Sequence, residues 1–422
     1  MYNDLASAAP RPASPDVADS AWDTAYEWRS ILLLSLGFAL VGFDRYLILP
    51  MFPVIMVGLK LDYTDLGTIT GALAITWGLS AFVAGQLADR FGRKRTMVAA
   101  MMGFSLLVGL SGLAAGALSL ILIRALMGIA EGAYAPPSLV ATMEAARPDR
   151  KGLSLGFYQM ASPLLGLAIA PILVTQLMHW IDWRFIFLVA SPPGLIVAFL
   201  LWRVIREPHA HATPAPTDEV NPTRFGDLLK YRNVGLAALG MLAWLNTIIV
   251  LTAFLPSYFV DLLKLPTATM GFIMSSVGFG AVFGSVGLPA LSDRLGRKPC
   301  AIVAILIVAT LLIMLSHTGP NPGLLFGLLM VASGFLSGLI SLTAGPLAME
   351  SVPVPLRATA TGTVIAVGEI FGGGISPMIA GAMAHHFGIA AIFWLAIGGL
   401  GVGLIAFLFL HESAPSKTRH AH

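Results

Sequence analysis

Long apolar runs recur along this chain from Ile31 to Leu410, and short segments between them carry most of the charge. A helix needs about 20 residues to cross the hydrocarbon core of a bilayer. Measured against that length, the pattern predicts twelve spans, at about residues 30–58, 65–88, 96–116, 119–143, 152–178, 184–204, 233–256, 267–291, 299–317, 323–349, 359–384 and 389–410. The expected fold is an all-α membrane protein, with twelve transmembrane helices in two pseudo-symmetric six-helix bundles.

Composition agrees. Of 422 residues, 57% are apolar and 11% charged, with a mean hydropathy of +0.82. A soluble domain carries about 25% charged residues. Cys300 is the single cysteine, so no internal disulfide framework is possible and no thiolate metal cluster is expected. The net charge of +3 is read as the charge bias of membrane loops and not as a nucleic-acid surface. Residues 1–29 lack the basic start and short apolar core of a cleaved signal peptide. They read as a disordered cytoplasmic tail, with a short interfacial helix near Trp22 and Trp28. Residues 411–422 form the other tail.

Lys and Arg set the expected orientation. With the amino terminus inside, 20 of the 25 basic residues fall on that side. Lys60, Arg184 and Lys264 fall outside, and Arg45 and Arg124 lie within spans. Both termini are therefore expected in the cytoplasm. The longest hydrophilic linker, residues 205–232, divides the spans into bundles at 30–204 and 233–410. Its "FGDLLK" patch suggests a short amphipathic helix.

An internal repeat supports this division. "GQLADRFGRKRT" (85–96) closes the second span of one half, and "PALSDRLGRKPC" (289–300) closes the second span of the other. Gly85, Asp89, Arg90, Gly92, Arg93 and Lys94 resemble the loop signature of the major facilitator superfamily, G-x-x-x-D-R-x-G-R-[RK]. Asp293, Arg294, Gly296, Arg297 and Lys298 repeat it, with Pro289 in place of the first Gly. The resemblance implies a transporter whose halves rock about a central site. Asp and Arg at the inner helix ends can form an ion pair that latches one conformation. The plain alternative is that they only fix topology.

Charges inside the spans point to that central site. Asp44 and Arg45 lie about 14 residues into the first span, or ~21 Å along the helix at 1.5 Å per residue. A charge near the bilayer centre costs ~2.5–3.5 kcal/mol on insertion scales and usually faces a cavity or a partner. Adjacent helical residues point about 100° apart, so each should have its own partner on another span. Arg124 and Glu131 in the fourth span are two turns apart and share a face, with Gly128 between them. Glu131 is a candidate proton carrier, since a binding event that changes its cationic neighbour couples to its protonation. Arg124 also reads as a plain helix anchor.

"GFDRYLILP" and "RALMGIAEGAYAPPSL" resemble the anion:cation symporter family, which includes sialin, vesicular glutamate transporters and bacterial sugar-acid permeases. In the fourth span the matching positions are Arg124, Gly128, Glu131, Gly132 and Pro136. The resemblance implies that Arg45 binds a substrate carboxylate, that Asp44 and Glu131 handle protons, and that Arg124 orders Glu131 or assists the anion. Two departures matter. The seventh span carries no basic residue for a second carboxylate, which favours a mono-anion. Glu369 in the eleventh is an extra acid, either a proton site, a hydroxyl acceptor, a partner for Arg45 or Arg124, or a packing residue. Tyr46, Gln159 and Asn246 are further candidate cavity residues, and Trp77, Tyr158, Trp244 and Thr247 fit cavity or packing equally. His385 and His386, at the outer end of the eleventh span, read as solvated or as a pH sensor.

The expectation is a proton-coupled symporter of a small organic anion in a bacterial inner membrane, working by alternating access as a monomer. No enzyme chemistry, metal, nucleic acid or cofactor is expected, protons being the coupling ion. The alternatives are a proton-driven exporter of the same fold and an aromatic-acid:proton symporter. The fifth span, with Gly156 and Pro163 but no Gly-Pro pair, argues against the exporter.

Overall fold

Twelve helical units and no strand make up the described residues of the computed structural model. These are residues 23–206, 228, 230–353 and 356–413, apart from the side chains of Gln86, Asp89 and Ala358. We label the units α1 (Thr24–Leu59), α2 (Tyr63–Phe91), α3 (Arg93–Ser111), α4 (Ala117–Ala145), α5 (Lys151–Leu177) and α6 (Trp183–Val204) in the amino half. The carboxyl half holds α7 (Arg232–Leu262), α8 (Thr267–Leu295), α9 (Arg297–His317), α10 (Pro322–Glu350), α11 (Thr359–Phe387) and α12 (Ile389–Leu408). Eleven of these are long and apolar enough to span a bilayer by themselves. The exception, α3, opens with the Arg-Lys-Arg of the basic loop and packs within the bundle beside α4 and α6.

Several helices run past the expected span ends, because a helix does not stop where its apolar surface stops. Capping decides the end instead. Asp62 caps α2, accepting from the Asp65 backbone while Asp65 caps back. Asp23 caps α1 through the Tyr26 amide, which with Arg206 holds its carboxyl below the usual range. The expected helix near Trp22 is in part outside the described residues, although Trp28 lies in α1. The "FGDLLK" patch falls mostly outside them.

The 204-residue repeat is visible in the backbone. Gly92 and Gly296 join α2 to α3 and α8 to α9 with φ of 91° and 107°. Both lie in a region essentially reserved for glycine. Lys60 and Lys264, also 204 apart, both have φ of 54° after α1 and α7. The π-helical stretches Leu164–Ile169 of α5 and Gly368–Ile375 of α11 begin 204 apart as well.

The motif behaves differently from a cross-half latch. Arg93 pairs with Glu144, and Arg297 holds Glu350 through Nε (3.2 Å) and Nη2 (2.8 Å). Arg297 also reaches Asp293 at 2.6 Å. Each pair braces helices of one half. Arg90 lies over its neighbour Phe91, Arg294 is exposed, and a side chain at Gly85 would meet nothing within 4 Å. Among the described residues the latch is thus a brace within each half, with the Asp89 side chain outside the description.

The halves close on each other at the end away from these loops. There Gly67 and Gly71 of α2 sit on the backbone of Pro377 and Gly374 in α11, and Gly271 and Gly278 of α8 sit on α5. Tyr63 donates to Asp261 (2.8 Å), and His385 meets Asp62 (3.3 Å), both across the halves. Within the carboxyl half, Gly284 packs directly on the Gly334 backbone, so α8 and α10 touch without side chains between them. Gly284→Leu should lower stability by about 1–3 kcal/mol through overpacking. Gly287→Leu, at a position with open space, should cost little. Melting of the two purified variants compares them, and equal melting would show that this contact is not tight.

Candidate functional site

Pro50 has no amide hydrogen to give to the carbonyl of Tyr46, so the hydrogen-bond ladder of α1 is interrupted around Leu47. Asp44, Arg45 and Tyr46 form the last turn before this interruption. Arg124 of α4 fills the gap from the side, donating from Nη1 to the carbonyls of Asp44 (3.1 Å) and Arg45 (3.3 Å). It is 1% exposed and ties α4 to α1. This is the anchoring role weighed from the sequence, though Arg124 also lines the cavity beside Arg45.

Arg45 finds its partner in the other half. Its Nη2 donates to Oε2 of Glu369 in α11 at 3.1 Å, with both side chains 13% exposed. Its guanidinium carbon lies 5.5 Å from the Trp77 ring centre and 5.8 Å from that of Tyr46. Both are within cation–π range. Glu369 is therefore a partner for Arg45, one of the roles open from sequence, and Trp77 belongs to the site.

Asp44 and Glu131 are buried at 1% and 0% exposure. Oδ1 of Asp44 and both carboxyl oxygens of Glu131 lack a hydrogen-bond partner, as do Nε and Nη2 of Arg124, Oγ1 of Thr70 and Nε1 of Trp77. Buried polar groups are nearly always paired, and a cluster of exceptions in one place marks a site with work to do. Asp44 and both guanidiniums lie within electrostatic reach of Glu131. Gly128 leaves room for a neighbour, not a ligand, since it sits on α2 at Leu73 and Thr76.

Between α1, α2, α4 and α7 lies a small cavity of about 20 Å³, enough for one water. Arg45, Tyr46, Arg124, Thr70 and Thr252 give it polarity, and Ile48, Leu49, Ile69, Leu73 and Ile249 make up most of the wall. Thr70, Thr252 and Ile249 had no sequence signal, since a threonine in an apolar helix more often bonds its own backbone, as Thr252 does to Ile248.

Two candidate cavity residues lie outside the walls of this small cavity, although Oδ1 of Asn246 is itself buried without a hydrogen-bond partner. Asn246 is buried against Gly372 and Gly399 and donates to the Leu395 carbonyl at 3.2 Å, so it joins α7 to α12. Gln159 is exposed, is not among the cavity walls and makes no hydrogen bond among the described residues. Trp244 and Thr247 also serve packing, bonding Thr343 and Ala396. Tyr158 stacks on Phe38 and bonds Ser138. His385 and His386 form no metal grouping among the described residues.

A multi-pass helical bundle with a charged pocket where two halves meet defines a membrane transporter. The chain belongs to the Major Facilitator Superfamily, whose profile matches residues 34–370, and this is a family of transporters, not enzymes. A probable 4-methylmuconolactone transporter of Cupriavidus pinatubonensis is 27% identical over 84% of this chain and 83% of its own. A 3-(3-hydroxy-phenyl)propionate transporter of Escherichia coli is 28% identical over 82% and 81%. A hexuronate transporter of Bacillus subtilis is 27% identical over 64% and 65%. Among solved structures, a bacterial homolog of the human lysosomal transporter Spinster superposes with a TM-score of 0.75 at 20% identity, covering 91% of this chain and 95% of that one. A D-xylose-proton symporter gives 0.75 at 20%, covering 92% and 99%.

Removing Arg124 strips two carbonyls at the α1 interruption of their donor, at about 1–3 kcal/mol for a buried unsatisfied group. Arg124→Met should therefore melt several degrees below the parent protein in detergent. An unchanged melting temperature would move Arg124 from anchor to pure substrate contact.

Proposed function

We propose that this protein is a proton-coupled symporter that brings a small organic acid across a bacterial inner membrane by alternating access. The observation that carries this reading is a guanidinium, Arg45, held between two aromatic rings where the halves meet. Two buried carboxyls without hydrogen bonds to protein, Asp44 and Glu131, lie within electrostatic reach of each other. Arg45 offers a fixed positive charge and forked donors to a carboxylate. Asp44 and Glu131 have no protein donor to hold them ionised, so each can take a proton. The cycle loads protons and anion together, rocks the halves and releases both.

The excess of basic residues in the loops at the Gly92 and Gly296 end supports a cytoplasmic position for that end and for both termini. With that orientation the contacts at Gly67, Gly71, Gly271 and Gly278 close the outer side. The apolar wall favours a ring-bearing acid with few hydroxyls over a sugar acid, because a polyhydroxylated solute would leave its hydroxyls unpaired against Ile48, Leu49, Ile69, Leu73 and Ile249. The names of the methylmuconolactone and hydroxyphenylpropionate relatives support the same choice.

The test uses purified protein in liposomes holding a pH dye, with ring-bearing acids and sugar acids added outside. Internal acidification is expected with a ring-bearing acid, and it should be lost in Arg45→Ala and Glu131→Gln while both variants stay folded. Acidification that survives Arg45→Ala removes Arg45 as the anion site. Acidification only with sugar acids reverses the substrate class.

A further inference from the structure

We propose that Glu369 is a built-in competitor for the transported anion. Its carboxylate occupies Arg45 when no substrate is bound, and an incoming substrate carboxylate must displace it to reach the guanidinium. This rests on the reading that Arg45 is the anion site.

The geometry carries the argument. Glu369 is a carboxylate at 3.1 Å from the guanidinium, the distance and chemistry that a bound organic acid would have. Gly78 of α2 lies beside the start of the Glu369 side chain, where a Cβ would make ordinary contact with it. The irregular Gly368–Ile375 stretch seats α11 against α7 through Gly368 and Gly372, which fixes where Glu369 begins. The contact is a single hydrogen bond and not a two-pronged grip, so it can yield to a better-placed carboxylate.

The surroundings define what Glu369 responds to. From α1 it faces Arg45 and Tyr46, and Glu131 of α4 acts on the same guanidinium. From α2 it meets Gly78, and from α7 its stretch packs on Met241, Leu245 and Asn246, none of them ionisable. One cation is thus shared by one resident carboxylate and one incoming carboxylate. Each must weaken the other's hold.

The pair also joins α1 of one half to α11 of the other. An anion that displaces Glu369 breaks a link between halves at the moment it binds, so occupancy and release of the halves become one event.

Binding of 3-(3-hydroxyphenyl)propionate to the purified protein at neutral pH tests the competition. Glu369→Gln, which keeps the size of the side chain but removes the competing anion, should bind about tenfold more tightly than the parent protein. Equal or weaker affinity in Glu369→Gln would overturn the proposal.

A second measurement needs no ligand. Spin labels at Leu87→Cys and Leu291→Cys, in a Cys300→Ser background, report the distance between halves near the basic loops. Glu369→Gln and, to a lesser degree, Glu369→Asp should both shift that distance distribution away from the parent's in the apo state. An unshifted distribution in a variant that melts normally also overturns the proposal. If no acid binds the parent protein, the proposed function falls, while the distance measurement still decides whether Glu369 links the halves.

Discussion

A guanidinium deep in a bundle needs an anion beside it, and the position of that anion governs how the two halves of this protein relate. Arg45 draws its compensation from Glu369, in the opposite half, and from the faces of Trp77 and Tyr46. Leaving such a charge uncompensated would cost several kcal/mol. Neutralising Arg45 and holding the halves together are therefore the same interaction. Arg124 shows the contrast. Its Nη1 donates to carbonyls of α1, within its own half, so that contact stabilises one bundle and not the join between the two.

That interaction is possible only where backbones come close. The glycines of α2 and α8 rest on the backbone of α11 and α5, which removes the side-chain layer that would keep the halves apart. The irregular stretches of α5 and α11 lie at equivalent positions in the two halves. Irregular backbone within a membrane protein is tolerated where protein buries it or where it lines a cavity. In α11 it falls on the residues that include Glu369, so the departure from regular helix coincides with the placement of the charge.

Much of this was legible in the chain. Twelve spans follow from the length of apolar runs, because lipid forces every backbone group into a helix and leaves few alternatives. Asp44, Arg45, Arg124 and Glu131 stood out because charge is rare and costly at that depth. The partner of Arg45 was not legible as a single answer. Glu369 is 324 residues away, and pairing across halves depends on how two bundles meet, which no local pattern encodes. Asn246 and Gln159 mark the limit for neutral polar residues. An amide in an apolar helix is equally at home against a neighbouring carbonyl, as Asn246 is, or exposed without a protein partner, as Gln159 is among the described residues. The loop motif told position but not partner. Its Asp–Arg spacing suits a latch, yet Arg93 and Arg297 turn to Glu144 and Glu350 inside their own halves.

The three acids of the site differ in a way that divides their work. Glu369 accepts a hydrogen bond from the Arg45 guanidinium at 3.1 Å, so it is held by direct contact. Neither oxygen of Glu131 has a hydrogen-bond partner, nor does Oδ1 of Asp44, and both residues are more deeply buried. A carboxyl without donors gains little from staying ionised, whereas one that grips a guanidinium gains most when the guanidinium has no other anion. Asp44 and Glu131 suit the task of accepting protons, and Glu131 lies within electrostatic reach of Arg45. Glu369 suits the task of sensing whether Arg45 is occupied. Coupling an ion to a solute requires both kinds of group, and here they converge on one cation from three helices.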